Sequence, residues 1–157
     1  MQSGAVTAAD QPFLSTYLPY LLRRADQSIS ASFYDVLTHH GIARSEWRVL
    51  AVLHEFGPLP VLEVADAALS PQPTVTHALR RLEQRGLVTR TDSETDRRQR
   101  IVTITEQGFQ ITQTLIDEAR DLAHRVLADI PGLDDLAAQL RTLTDTVKHR
   151  AELQTRN

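Results

Sequence analysis

The sequence contains no cysteine. That absence excludes disulfides, thiolate catalysis, Cys-ligated zinc and thiol redox sensing, and it fits a reducing compartment. Lysine is almost as scarce, with Lys148 the only one in the chain. Long apolar runs are missing as well, none approaching the roughly 18 residues that a membrane-spanning helix needs. Met1 to Asp10 has no basic region ahead of an apolar core and does not read as a signal peptide, so a soluble, cytoplasmic protein is expected. Catalytic fingerprints are lacking too: Gly-x-Ser-x-Gly, a Walker phosphate loop and His-Glu-x-x-His do not occur. The acidic pairs Asp117-Glu118 and Asp134-Asp135 fall on helical surfaces or starts, where solvation and the helix dipole account for them. His39 and His40 are adjacent, so on a helix their side chains diverge and do not readily share one ion. Neither an enzyme nor a bound cofactor is expected.

What is present suits one compact domain, or a small domain with helices that pack against a partner chain. The chain has 157 residues, 41% of them apolar and 24% charged. The formal net charge of −3 speaks superficially against a nucleic-acid partner, but its distribution matters more than its sum. Between Ser70 and Arg100 there are seven arginines and four acids, while the remainder holds 10 basic and 16 acidic residues. A short basic segment therefore sits on an acidic body. Its cations are arginines, whose planar fork suits phosphates and guanine edges better than an ammonium does. A solvated charge run is the competing reading, and the organisation of the segment has to decide.

Residues 1–12 are small and polar and are expected to be a flexible terminus. From Leu14 to Leu37 apolar residues recur at helical spacing, and Pro19 sets the start of the main helix, with a separate turn or short helix before it. Gly41 ends it. A second helix over 45–56 directs Trp47, Leu50, Leu53 and Phe56 to a core, and a third covers 61–69. Ser70-Pro71-Gln72-Pro73 is a start signal for a fourth, ending at Gly86. The β-branched runs 87–91 and 101–105 predict a two-stranded hairpin with a long Arg-rich tip. Two more helices, 107–130 and 133–154, meet at Pro131-Gly132. The expected fold is thus mainly α with a small β-hairpin.

Three helices followed by a hairpin is the winged helix-turn-helix arrangement. In the helix from Gln72 to Arg85, Val75, Ala78, Leu79 and Leu82 share one face. The other positions, Gln72, Thr74, Thr76, His77, Arg80, Arg81 and Gln84, are hydrogen-bonding or cationic, and the first ten residues contain no acid. A major groove admits such a helix and exposes base edges to its N-terminal half. Gln72, Thr74 and His77 are the base-edge candidates, and Arg80 suits either a guanine or a phosphate. At the hairpin tip Arg97, Arg98 and Arg100 suit a narrow, electronegative minor groove. Asp96 is expected to fix the tip by accepting from Arg98 or from backbone N–H groups.

The run Asp96-Arg97-Arg98-Gln99-Arg100-Ile101-Val102-Thr103-Ile104-Thr105-Glu106-Gln107-Gly108 resembles the wing signature of the multiple-antibiotic-resistance regulator (MarR) family. Pro73-Thr74-Val75-Thr76 through Leu82-Glu83 to Gly86-Leu87-Val88 resembles that family's recognition helix and its exit, and Glu46-Trp47-Arg48-Val49-Leu50 the start of its second helix. The resemblance implies a homodimer that binds palindromic operators and usually represses transcription. It also implies a small-molecule site between the dimerisation helices and the DNA-binding lobe, and it makes Arg98 the minor-groove contact with Asp96 orienting it. The chain departs from the family's cysteine-based oxidation sensors.

The expected division is a helical dimerisation region, 13–41 and 107–154, around a DNA-binding domain, 42–106. The apolar stripes of the outer helices exceed what a small lobe can bury and are most economically covered by a symmetric partner. Tyr17, Tyr20, Arg23, Arg24, His39, His40 and Trp47 are the candidate effector residues, a mix that hints at an aromatic carboxylate or related anion. The alternative is a winged-helix module that binds a protein rather than DNA.

Overall fold

The computed structural model describes residues 12–93 and 99–155. The elements run α1 (Phe13–Thr16), α2 (Leu18–His39), α3 (Arg44–Phe56), β1 (Leu59–Pro60), α4 (Val61–Ala67), α5 (Gln72–Gln84), β2 (Val88–Asp92), β3 (Arg100–Ile104), α6 (Glu106–Leu127) and α7 (Leu133–Thr155). Among the described residues no helix is long and apolar enough to cross a membrane. The chain divides into two compact units, one ending at Ala123 and the other beginning at His124 within α6.

Proline and glycine set the helix boundaries of the first unit. Pro19 lies in the first turn of α2, where its missing N–H costs no intrahelical bond. Gly41 closes the helix in the left-handed region, at φ 65°, and lets Ile42 N–H donate back to the Leu37 carbonyl at 2.8 Å. The core gathers Leu37 of α2, Val49, Leu50 and Leu53 of α3, Val64 of α4 and Leu79 and Leu82 of α5, with Val88, Val102 and Leu115 from the strands and α6. Trp47 is half-buried against it, edge-on to Phe33 at 5.0 Å.

Several expectations are corrected. The expected hairpin is present as β2 and β3, but β1 adds to it beside β3, so the wing is a three-stranded antiparallel sheet of order β1-β3-β2. Leu59 pairs with Val102 and Pro60 with Ile101, and an edge position is where a proline in a sheet is tolerated. Phe56 does not reach the core but is 63% exposed at the end of α3. The third helix stops at Ala67, and Leu69 takes a left-handed φ of 50° that allows Ser70 N–H to close onto the Ala65 carbonyl. α6 ends at Leu127, so Ile130 lies beyond it, after Asp129 at φ 65°.

The first unit leaves Leu14, Leu18, Leu21, Leu22 and Ile29 exposed along α1 and α2. In the second unit Leu136, Leu143 and Val147 are exposed along α7 at spacings of seven and four.

Candidate nucleic-acid interface

The helix α5 separates its two faces completely. Val75, Ala78, Leu79 and Leu82 are buried, while Gln72, Thr74, His77 and Arg80 are exposed and Thr76 is half-buried. Pro71 caps its start in extended conformation and Pro73 occupies its first turn. Gln72, Pro73, Thr76, His77 and Arg80 together line an open depression of about 410 Å³. The residues picked from the sequence as an acid-free reading face are thus side by side, with Thr74 exposed on the same turn.

Arg81 is not part of this face. Its Nε lies 2.9 Å from Oε1 of Glu46, a fully buried carboxylate in the first turn of α3. Arg85, one turn on, has Nη1 3.5 Å from Oε2 of the same residue. Of the two adjacent arginines, Arg80 faces outward and Arg81 is held by the body of the lobe.

The wing is anchored to α5 at its base. Arg90 of β2 donates from both Nε and Nη2 to Oε2 of Glu83. That hydrogen bond to the ionised form, against some opposing burial and with Coulombic help from Arg90 and Arg100, holds the Glu83 carboxyl below the usual carboxylate range. A depressed folded-state value means the pairing stabilises above the unfolded carboxylate pKa, about 4.3, and is lost as pH falls through the folded one. Replacing Arg90 by Gln is therefore expected to raise the Glu83 midpoint in a carboxyl-detected NMR titration and to flatten acid-side stability in that window. An unchanged midpoint would remove Arg90 as the cause.

Further out, Arg100 Nε lies 3.6 Å from Asp92 Oδ1 across the last strand pair, and Ser93 N–H donates to the Gln99 carbonyl at 3.0 Å. Asp96, Arg97 and Arg98 lie outside the described residues. A cleft of about 270 Å³ between Pro60–Glu63, Gln72, Gln99 and Arg100 joins the start of α5 to the wing. Gln99 carries no charge to mark it in the sequence; its place at the foot of β3, next to Arg100, is the available signal.

The wing's exit explains the Thr-x-x-Gly run. Thr105 Oγ1 accepts from Gly108 N–H at 3.0 Å and donates to the Gly86 carbonyl at 2.7 Å, so one hydroxyl caps α6 and ties it to the turn after α5. Gly108 leaves room for backbone: a Cβ there would stand 2.0 Å from the Leu87 carbonyl oxygen.

The candidate effector residues fall into separate groups. Tyr17 stacks on Phe13 at 4.7 Å, Arg24 reaches over the Tyr20 ring at 5.9 Å, and the His39 and His40 rings are 5.6 Å apart. His40 Nε2 contacts Glu118 Oε1 at 2.9 Å. Tyr20 and His39 stand 19 residues apart on α2, about 28 Å along the axis, so one protomer does not gather the set around a small molecule. Arg23 instead lines a cleft of about 370 Å³ with Asp26, Gln27, Tyr34, Arg44 and Arg48. The Arg44 guanidinium sits 3.6 Å over the Tyr34 ring, and Arg48 Nη1 donates to Ser70 Oγ at 3.5 Å, just before α5. The sequence pattern missed Arg44 and Arg48 because their partners lie on other elements.

Comparison with known proteins agrees with this geometry. Residues 40–99 match the family model described as the MarR family. The HTH-type transcriptional regulator FarR of Neisseria gonorrhoeae is 29% identical over 131 residues, 80% of this chain and 90% of that protein. The crystal structure of the MarR family transcriptional regulator SPO1453 from Silicibacter pomeroyi DSS-3 superposes with a TM-score of 0.76 at 34% identity, covering 87% of this chain and 99% of that one. BpsR of Bordetella bronchiseptica, whose DNA binding is regulated by 6-hydroxynicotinic acid, is 25% identical with a TM-score of 0.70 over 81% of this chain and 98% of its own.

Proposed function

Since the chain belongs to the MarR family of transcriptional regulators, we propose that it is a homodimeric, ligand-responsive repressor of an inverted-repeat operator. Each protomer lays α5 in a major groove, with Gln72, Thr74 and His77 at base edges and Arg80 on a guanine or phosphate. Arg98 enters the adjacent minor groove from the wing, flanked by Arg97 and Arg100, with Asp96 orienting it. The observation that carries the reading is α5 itself: four apolar residues buried on one side, and on the other a continuous surface of donors and one outward guanidinium. A two-fold dimer sets two such helices about 34 Å apart, one turn of DNA. The exposed apolar stripe of α1 and α2 supplies a face for the second copy.

The effector is an organic anion, and the Arg23–Tyr34–Arg44–Arg48 cleft is the place to expect it. Three guanidiniums line it against one carboxylate, Asp26, and one of them, Arg44, lies over the ring of Tyr34 in the same cleft. Regulation of BpsR by an aromatic carboxylic acid supports this class. Arg48 links the cleft to Ser70 at the entry of α5, so occupancy is felt where the reading helix begins. A tenfold loss of operator affinity needs only about 1.4 kcal/mol of differential binding.

Arg98→Ala tests the wing. It is expected to weaken binding to all duplexes alike and to make the slope of log affinity against log salt shallower by about 0.9. Gln72→Ala and His77→Ala are expected instead to change sequence preference. Fluorescence anisotropy over a salt series distinguishes them, and an unchanged slope in Arg98→Ala would end the role assigned to that residue.

A further inference from the structure

The buried carboxylate of Glu46 pairs with two arginines of the helix meant to read DNA, Arg81 in its last turn and Arg85 at its C-cap. Its side chain is fully buried at the third position of α3, where a carboxylate serves the helix start through one hydrogen bond. That bond is present: Ala43 N–H donates to Glu46 Oε2 at 2.8 Å. Both oxygens are also ion-paired to arginines at the end of α5, with Arg81 Nε 2.9 Å from Oε1 and Nη1 of Arg85, the residue that caps the helix, 3.5 Å from Oε2. Arg85 Nη1 also donates to the Gly41 carbonyl at 2.8 Å, which ties the same corner to the end of α2. Both arginine side chains remain substantially exposed, 49% and 38%, so neither is buried for packing's sake. A capping role alone does not account for this; a neutral Gln or a cap on the preceding residue fills that role without burying a charge.

We infer that Glu46 is a specificity-determining positioning residue, which fixes the rotation of α5 and withholds Arg81 and Arg85 from the phosphate backbone. It rests on the reading of α5 as the DNA-reading helix. Arg81 follows Arg80 directly and lies one turn beyond His77, so it is within a side chain's reach of the reading face. Cations that contact phosphate raise affinity for every sequence and carry no base information. Neutralising two of them at a buried anion lowers non-specific binding and leaves Arg80 with the polar residues ahead of it to discriminate. Because Gly41 shares the network, a shift of α2 against α3 is transmitted to α5 through Arg85.

The test uses the full chain and two duplexes, one selected from a random library by the parent protein and one of random sequence. Glu46→Gln keeps an acceptor for Ala43 N–H and removes the charge. Its expected result is a steeper salt slope on both duplexes, by up to roughly 1.8 if two phosphates are gained, and a ratio of selected to random affinity lowered roughly tenfold or more. Parallel weakening on both duplexes with the parental slope is what a merely structural role produces, and it overturns the inference. Should circular dichroism show Glu46→Gln unfolded, Arg81→Gln decides: the slope stays parental if Glu46 already neutralises Arg81, and becomes shallower by about 0.9 if Arg81 binds phosphate, which overturns it. Arg98→Ala is the positive control, expected to make the slope shallower. A parent that binds no duplex with salt dependence defeats the DNA reading and this inference together, whereas a parental protein with steep salt dependence beside a shallower Arg81→Gln defeats the inference alone.

Discussion

Gly108→Ala is expected to destabilise the fold by about 3 kcal/mol or more, at the upper end of overpacking effects. Two opposing terms meet at this position. Alanine is the better helix former by about 1 kcal/mol, which favours the variant. Against it, the new Cβ would lie 2.0 Å from the Leu87 carbonyl oxygen, 2.9 Å from the Leu87 carbonyl carbon and 2.9 Å from Ile104 Cγ1. Leu87 is buried backbone between α5 and β2, and its carbonyl accepts from Thr105 N–H at 3.0 Å. The shortest contact is with backbone rather than with a flexible side-chain end, so relief requires α6 to lift from the sheet. The clash wins. A thermal melt followed by circular dichroism at fixed protein concentration should show a fall of roughly 10 °C. Gly41→Ala, where nothing lies within 4 Å and only the φ of 65° is strained, should lose less. A Gly108→Ala protein as stable as the parent would contradict the packing of α6 on the wing exit.

Leu18→Glu with Leu22→Glu is expected to give a monomer whose affinity for the operator is lower by about 10² to 10⁴. Both residues are exposed on α2, 48% and 38%, one turn apart on the stripe assigned to the partner. The lobe core does not include them, so the variant should keep its fold. On a two-fold axis each substitution places unpaired carboxylates in a face that otherwise excludes water. Two linked lobes bind two half-sites with high effective concentration, and a single lobe loses that advantage. Sedimentation velocity reports the mass and anisotropy the affinity. A dimer of parental affinity would show that this stripe is not the interface.

Much of the fold was legible in the sequence because it depends on local signals. Pro19, Gly41, the Ser70–Pro73 start and the β-branched runs each act over a few residues, and the elements they bound appear within a residue or two of expectation. β1 was not legible. Leu59 lies between Pro58 and Pro60, a composition that favours a turn, and the strand exists only because β3, some 40 residues later, offers it a ladder. Leu69 and Phe56 misled for a related reason: helical spacing continued through both, but the chain had already turned before Leu69, and Phe56 is the last residue of α3, where the core ends.

The interface was legible to the extent that it is a face of one helix. Gln72, Thr76, His77 and Arg80 followed from the period of α5 alone, together with the exposed Thr74. Arg81 did not, since its role depends on Glu46, 35 positions earlier and buried among apolar residues. Periodicity places Glu46 and Trp47 on α3 but says nothing of which helix each will meet. The same limit separates Arg23, which shares a cleft with Arg44 and Arg48, from Tyr17 and His39, which do not.

The most direct test of the central claim is selection of duplexes from a random library, followed by anisotropy on the enriched sequence at two salt concentrations. The account predicts one inverted repeat with half-sites about 10 base pairs apart, bound in the presence of random competitor and weakening steeply with salt. No enriched repeat, with binding no tighter than to random DNA and little changed by salt, would contradict it.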